Sequence, residues 1–153
     1  MRAADGVELH GVVTGPASDT TVVLVHGWTL DETCWAGVVD RLPGCRVVRY
    51  DHRGHGRSAA VDTTTMTIEQ LADDLAAVIE QTALAAYAQV PVHVMAGTRD
   101  RLTPVRYARR IREGLPQARL TLFPDAGHML PLERTDGVAS RIAALLDAPV
   151  GAH

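Results

Sequence analysis

The stretch that decides the fold is TTVVLVH, residues 20–26, which is followed at once by Gly27. It is apolar and β-branched through its middle, with no alternation of polar and apolar positions. Such a run is typical of a parallel strand that is covered on both faces. We therefore predict a strand in the middle of a sheet, with its carboxyl end at His26.

Further strands and helices alternate along the rest of the chain. We expect strands over residues 45–50, 90–95 and 119–123, and an antiparallel edge strand over residues 7–13. The pattern also predicts four helices. The first covers residues 34–42 and begins behind Asp31, and the second covers residues 67–81, where Thr67 and Gln70 have the spacing of a capping box. The third covers residues 104–115, where Thr103 is the N-cap and Pro116 follows the end, and the fourth covers residues 138–146. This order predicts an α/β fold: a doubly wound, mostly parallel sheet of about five strands with flanking helices, forming a single domain over residues 1–153.

Composition excludes several classes of protein. The chain has 153 residues and a formal net charge of −3, which argues against a nucleic-acid partner. No apolar stretch is long enough to span a membrane, and the start carries no apolar leader, so we expect a cytoplasmic protein without a membrane partner. Cys34 and Cys45 lack the spacing of a metal site and are expected to be free thiols.

Chemically active residue types follow the strands. His26, Gly27 and Trp28 come after the first apolar strand, and the loop DHRGHGRS, residues 51–58, comes after the next. Asp100 and His128 follow the last two strands. Because ligands bind beyond the carboxyl ends of parallel strands, these residues are the candidate site.

Four segments in this order resemble the α/β-hydrolase family of esterase- and lipase-like enzymes. They are the strand ending in His-Gly-Trp, the loop YDHRGHGRS over residues 50–58, the segment GTRDRLTP over residues 97–104, and DAGHM over residues 125–129. The resemblance implies that Trp28, with Gly27, lends its N–H to an oxyanion hole. It also implies that Asp100 is the catalytic acid and His128 the base, and that a small apolar ester is the substrate, hydrolysed without a cofactor.

The residue types suit that chemistry. Histidine titrates near neutral pH and can transfer a proton. A carboxylate on its second ring nitrogen fixes the tautomer and stabilises the imidazolium as it forms. An acid followed later by a histidine is the chain order in which this family supplies the last two members of its triad.

The first member of that triad, the nucleophile, is not evident. The family carries it in a G-x-S-x-G turn between the helix ending near Gln81 and the strand beginning near Val90, but residues 82–88 read TALAAYA. The serines of the chain are Ser18, Ser58 and Ser140, and Ser58 has neither a preceding strand nor a second glycine. The resemblance thus implies an internally truncated hydrolase without its nucleophile turn and its lid, whose nucleophile is unknown.

Other interpretations of single residues remain open at this stage. Asp100 has the alternative role of capping the helix that follows it. His52 and His55, beside Asp51, have the spacing of two metal ligands, although we expect no metal site. Arg53 in its glycine-rich loop is a candidate anion-binding group, and six arginines crowd residues 99–112.

Two functions follow from different classes. The first is hydrolysis of a carboxylic ester or a related bond; the alternative is a catalytically inactive remnant that acts as a binding or assembly module or has no function. Loss of the nucleophile strand leaves two outcomes for the sheet. We predict that it closes again, with the strand over residues 90–95 paired beside Val22–Val25; an open apolar edge would instead favour a homo-oligomer.

Overall fold

The computed structural model describes residues 1–17, 21–82, 92–114 and 118–146. The strands are β1 (Gly11–Thr14), β2 (Thr21–Val25), β3 (Arg46–Tyr50), β4 (His93–Gly97) and β5 (Arg119–Phe123). The α-helices are α1 (Ala36–Val39), α2 (Ile68–Gln81), α3 (Val105–Gly114), α4 (Leu130–Glu133) and α5 (Thr135–Leu146), with 3-10 turns at Glu32–Trp35 and Thr63–Thr65. These elements confirm the α/β class.

The chain divides into two compact units. The first comprises residues 1–36 and 43–87, and the second comprises residues 37–42 and 88–153. The prediction of a single domain over the whole chain stays a prediction.

The first unit is built on a three-stranded sheet in the order β1-β3-β2. β2 runs parallel to β3, with Thr21 opposite Arg46 and Val25 opposite Tyr50, so both strands end at the same level. β1 is antiparallel to β3. The core beneath the sheet joins Val48 and Tyr50 of β3 to Val78 of α2. These contacts fix where the loops after β2 and β3 leave the sheet.

Helix α2 begins as its sequence predicts. The Thr67 hydroxyl accepts the Gln70 N–H, and the Gln70 side chain accepts the Thr67 N–H, so the predicted capping box is confirmed. Ala77, Val78 and Ile79 are buried, whereas Ile68 in the first turn is exposed.

The second unit is built on β4 and β5, which run parallel with His93 opposite Arg119 and Gly97 opposite Phe123. α3 joins the two strands in sequence, and α4 and α5 follow β5. Ala108 of α3 and Val138, Ala139 and Ile142 of α5 are buried, whereas Ile111 of α3, which the helical spacing places on the same face as Ala108, is exposed. Both strands therefore end together, and their following loops carry Asp100 and His128.

Several predicted boundaries change. Within the described residues, β1, β3 and β2 form one sheet and β4 and β5 form another. The predicted re-closure, which would pair strands of the two units, stays a prediction. The helix after Asp31 starts as a 3-10 turn and ends at Val39. The edge strand is shorter, because only Gly11–Thr14 pairs with β3.

Three predicted features lie outside the described residues: the joint over residues 83–88, the beginning of the strand near Val90, and the helix end at Leu115 and Pro116. Within the described ranges, none of the helices has the length and apolar character needed to cross a membrane.

Candidate active site

Asp100 and His128 meet at the carboxyl ends of β4 and β5. The His128 Nδ1 lies 2.9 Å from the Asp100 Oδ2. The His128 side chain is only 9% exposed, and the Asp100 side chain only 7%. A carboxylate at this distance favours the proton on Nδ1 and leaves Nε2 as the basic nitrogen of the ring. The structure thus brings together the two residues that the sequence predicts as acid and base.

The Asp100 carboxylate also organises the turn that precedes α3. Its Oδ1 accepts the N–H groups of Leu102 and Thr103 at 2.9 and 2.8 Å. Its Oδ2 accepts the Thr103 hydroxyl at 2.6 Å as well as the His128 contact. The capping role and the histidine-orienting role were alternatives in the sequence, and the geometry accommodates both.

The pKa of Asp100 lies below its ordinary value. Burial opposes ionisation, but the hydrogen bonds from the Thr103 hydroxyl, from the Thr103 N–H and from His128 together outweigh it. The carboxylate is therefore ionised at neutral pH, as an orienting partner of a histidine must be.

Thr103 is a site residue that the sequence identified only as an N-cap. Its hydroxyl oxygen lies 3.1 Å from the His128 Nδ1, besides its bond to Asp100. Two signals in the sequence could have indicated this role. Thr103 carries a hydroxyl three residues after the predicted acid Asp100, and it ends the loop that Asp100 begins.

The loop after β4 and the loop after β5 are also joined by hydrogen bonds from backbone N–H groups. The Arg99 N–H donates to the Ala126 carbonyl at 2.8 Å, and the Asp125 N–H donates to the Thr98 hydroxyl at 3.0 Å. Gly97, the last residue of β4, lies so close that a Cβ there would stand 2.3 Å from the Ala126 carbonyl oxygen. Only glycine fits at this position, and the loops are fixed independently of the side chains of Asp100 and His128.

The predicted oxyanion residues Gly27 and Trp28 lie in a tight turn after β2 in the first unit. The Gly27 carbonyl accepts the Leu30 N–H at 3.2 Å and the His26 Nδ1–H at 2.8 Å. In a planar trans peptide the next N–H, that of Trp28, points the opposite way from this carbonyl. Thr29 has a φ of 69°, a conformation that is unusual for a β-branched residue. Such an outlier is typical of a functional turn.

His26 supports this turn from the interior. The His52 N–H donates to the His26 Nε2 at 2.9 Å, so we assign the His26 proton to Nδ1. The His52 Nε2–H donates to the His26 carbonyl at 3.0 Å. Burial lowers the pKa of His26, and it lowers the pKa of His52 to about 4. Both rings are therefore neutral at pH 7, and the contacts of His26 support the turn structurally.

The loop after β3 is fastened by the buried Asp51 carboxylate. It accepts the Glu32 N–H at 2.6 Å and the Arg57 N–H at 2.8 Å. Gly56 has a φ of +51°, and a Cβ there would lie 2.3 Å from this carboxylate. The Ser58 hydroxyl donates to the Asp51 carbonyl at 2.6 Å and accepts the His10 N–H at 2.9 Å. Ser58 therefore stabilises the loop, and its geometry gives no support to a nucleophilic role.

Arg53 is enclosed by carboxylates. Its guanidinium donates to both oxygens of the buried Asp74, at 2.8 and 2.6 Å, and to both oxygens of Asp5, at 2.8 and 3.2 Å. An anion would have to displace these partners, so the anion-binding interpretation loses the group on which it depends. Among the described residues, no group of three or more His, Cys, Asp and Glu side chains could hold a metal ion.

Comparison with known proteins shows what this chain is similar to. The family model described as serine aminopeptidase, S33, matches residues 16–88. A probable oxidoreductase, EphD, of Mycobacterium tuberculosis is 38% identical over 112 residues, or 72% of this chain. A bifunctional esterase/perhydrolase of Acinetobacter calcoaceticus is 40% identical over 83 residues, or 52% of this chain.

Solved structures share the fold at low sequence identity. An esterase from Exiguobacterium antarcticum has a TM-score of 0.75 at 15% identity, with 96% of this chain and 98% of that chain covered. The enol-lactonase from Burkholderia xenovorans has a TM-score of 0.73 at 18% identity, with 95% and 98% covered.

The chain has the α/β-hydrolase fold. It spans 18% of the length of EphD and 29% of that of the esterase/perhydrolase. The predicted fold and the predicted resemblance to this family are thereby confirmed, and the catalytic roles of Asp100, His128, Gly27 and Trp28 are taken up as proposals below.

Proposed function

We propose that this α/β-hydrolase chain hydrolyses small apolar carboxylic esters by general-base activation of water, without an acyl-enzyme and without a cofactor. The observation that carries the proposal is the 2.9 Å contact between the His128 Nδ1 and the Asp100 Oδ2 in a nearly buried environment. That contact sets up one proton-accepting nitrogen, Nε2, beside a carboxylate that stabilises the imidazolium.

His128 and Asp100 together account for every proton transfer in the proposed reaction. The His128 Nε2 takes a proton from water while the oxygen of that water bonds to the ester carbonyl carbon. The tetrahedral intermediate then expels the alkoxide, which takes the proton back from the imidazolium and leaves as the alcohol. Asp100 keeps its charge throughout and holds the ring in the reactive tautomer.

Separately, and from their turn in the first unit alone, we propose an oxyanion-binding role for Gly27 and Trp28. In that turn the Gly27 carbonyl accepts the Leu30 N–H and the His26 Nδ1–H. A backbone N–H that is held in a fixed direction stabilises developing negative charge without reorganisation.

The absence of a G-x-S-x-G segment from the sequence limits the rate. In enzymes that lose a triad member, roughly 10³–10⁴-fold catalysis over water remains. We therefore expect slow turnover with linear kinetics. An activated aryl ester should give no initial burst, because no acyl-enzyme accumulates.

The test is hydrolysis of an activated aryl acetate by the wild type and by variants. His128→Ala should lower the rate by about 10²–10⁴-fold, the usual contribution of a general base, and Asp100→Asn should lower it through loss of the correct tautomer. His93→Gln, which changes another histidine of the second unit, is the matched control and should retain the wild-type rate. Equal rates in the wild type and His128→Ala would refute the proposal.

A fluorophosphonate probe tests the absence of a nucleophile separately. We expect no stoichiometric labelling. Labelling that disappears in Ser58→Ala or in Thr103→Val would identify a nucleophilic hydroxyl and would contradict the water mechanism.

A second candidate function, assembly with a copy of this chain, is favoured by the pairing of β2. In the described residues its second edge has no strand partner, and Val25 at its end is exposed. Unpaired apolar edges invite pairing with another chain. On this proposal the chain is a homo-oligomer; a cytoplasmic location and the absence of a nucleic-acid partner likewise remain proposals.

Sedimentation over a range of concentrations tests assembly. The wild type should shift to a larger species as concentration rises, whereas Val25→Lys should remain monomeric, because lysine on an edge strand opposes edge pairing. Val13→Lys, on the outer edge strand β1, is the control for a general effect of charge. A wild type that stays monomeric at every concentration would exclude this function.

A further inference from the structure

Glu133 at the end of α4 reaches back along the chain to the segment that carries His128. Its Oε2 accepts the Gly127 N–H at 2.6 Å, and its Oε1 accepts the Met129 N–H at 3.1 Å. The two oxygens thus bind the backbone on both sides of His128. Neither hydrogen bond involves the imidazole itself.

The carboxylate packs directly on the backbone that it binds. A Cβ at Gly127 would lie 2.9 Å from the Glu133 Oε1, so the approach depends on glycine at that position. Met129, the N-cap of α4, makes no side-chain capping bond, and its N–H is instead satisfied by Glu133. Hydrogen bonds in which the acceptor is ionised are roughly twice as strong as neutral ones.

These bonds constrain the torsions that aim the imidazole. The Met129 N–H belongs to the peptide plane that follows His128, and the Gly127 N–H belongs to the plane that ends at Gly127. Because both planes are held, the direction of the His128 Cα–Cβ bond is set independently of the contact with Asp100. The Ala126 carbonyl, bound by the Arg99 N–H, holds the same loop from its other end.

We propose that Glu133 is a positioning residue for His128, which keeps the Nδ1 in reach of Asp100 by binding the N–H groups on both sides of the histidine. The inference rests on the proposed role of Asp100 and His128 as an acid–base pair. It assigns control of the histidine tautomer to an exposed carboxylate that binds the backbone on both sides of the histidine.

The experiment measures the tautomer directly. Nitrogen-15 NMR of the His128 ring at pH 8 distinguishes a proton on Nδ1 from one on Nε2. The wild type should show mainly the Nδ1–H form. Glu133→Ala removes both acceptors and should give a mixture of the two forms, and Glu133→Gln, which keeps one acceptor oxygen, should lie between them. Glu113→Gln, a change of an exposed acid on α3, is the matched control and should match the wild type.

Hydrolysis of the aryl acetate provides the second readout. We expect kcat to fall about tenfold to a hundredfold in Glu133→Ala, the scale of a small misplacement of a catalytic group, with KM nearly unchanged. Thermal unfolding identifies any variant that loses its fold; if Glu133→Ala does, Glu133→Gln decides, because it should still shift the tautomer ratio.

The outcomes separate this inference from the proposed function. A tautomer shift in the Glu133 variants, with no activity in the wild type, would support the positioning role and refute the hydrolytic function. An active wild type whose folded Glu133→Ala variant keeps both the tautomer and kcat would refute the positioning role alone.

Discussion

Arg53→Met should destabilise the chain by about 3–5 kcal/mol, the usual cost of removing one partner from a buried ion pair. The Asp74 carboxylate is 0% exposed, and Arg53 donates to both of its oxygens. The variant leaves that carboxylate in the interior without its guanidinium. Since total stabilities are about 5–15 kcal/mol, this is a large share. Urea unfolding monitored by circular dichroism measures it.

Two further variants serve as controls for this result. Arg2→Met breaks the exposed pair with Glu8, whose side chains are 67% and 74% exposed, and should cost no more than about 1 kcal/mol. Arg53→Met combined with Asp74→Leu removes both buried charges and should recover part of the loss. A single Arg53→Met variant as stable as Arg2→Met would show that the buried pair contributes nothing.

Lowering the pH from 7 to 5 should destabilise the chain, with His52 contributing about 2 kcal/mol. Burial lowers the pKa of His52 to about 4, whereas the unfolded chain has the ordinary value of 6.5. The unfolded state therefore binds more protons in this window, and stability that is complete above pH 6.5 is lost as the pH falls toward 4. The lowered pKa of His26 acts in the same direction.

His52→Gln isolates this contribution. Glutamine offers an amide N–H in place of the ring N–H but does not titrate, so the difference in unfolding free energy between pH 7 and pH 5 should shrink by about 2 kcal/mol. The aspartates with lowered pKa values do not interfere with this measurement. Their pKa values lie below the ordinary value of 3.8, and so below the window from pH 5 to pH 7. The same pH dependence in both proteins would contradict the assignment.

Local signals in the sequence predicted the elements of the fold well. The capping box at Thr67, the strand at Arg119–Phe123 and the helix after Thr103 depend on neighbouring residues, and each is present. The predicted pairing of β4 beside β2 depends on contacts distant in the chain, and it stays a prediction because the two strands lie in different units. Apolar β-branched residues predict that a strand is buried, but they do not specify which neighbour covers it.

In the candidate site, too, some features could be predicted from the sequence and others could not. The proximity of Asp100 and His128 followed from the rule that parallel strands end at one edge, together with the family resemblance. The contacts of Glu133 could not be predicted, because they arise from how its turn folds back on the segment before it. The contact of Thr103 with His128 was missed, although the spacing of Thr103 from Asp100 was a signal for it. Arg53 lies in a loop that the sequence suggested for anion binding, and only the positions of Asp5 and Asp74 reveal its structural use.

The pairing of β4 with β5 has an evolutionary consequence. Gly97 and Phe123 end the two strands opposite each other, and the loops that follow are joined by their own backbones. On the proposed roles, the acid Asp100 and the base His128 follow neighbouring strands, which need no residue of the nucleophile segment to keep them aligned. A gene that loses the middle of a hydrolase can therefore retain this half of its chemistry intact, available for recruitment when a nucleophile, or a different reaction, is supplied from elsewhere.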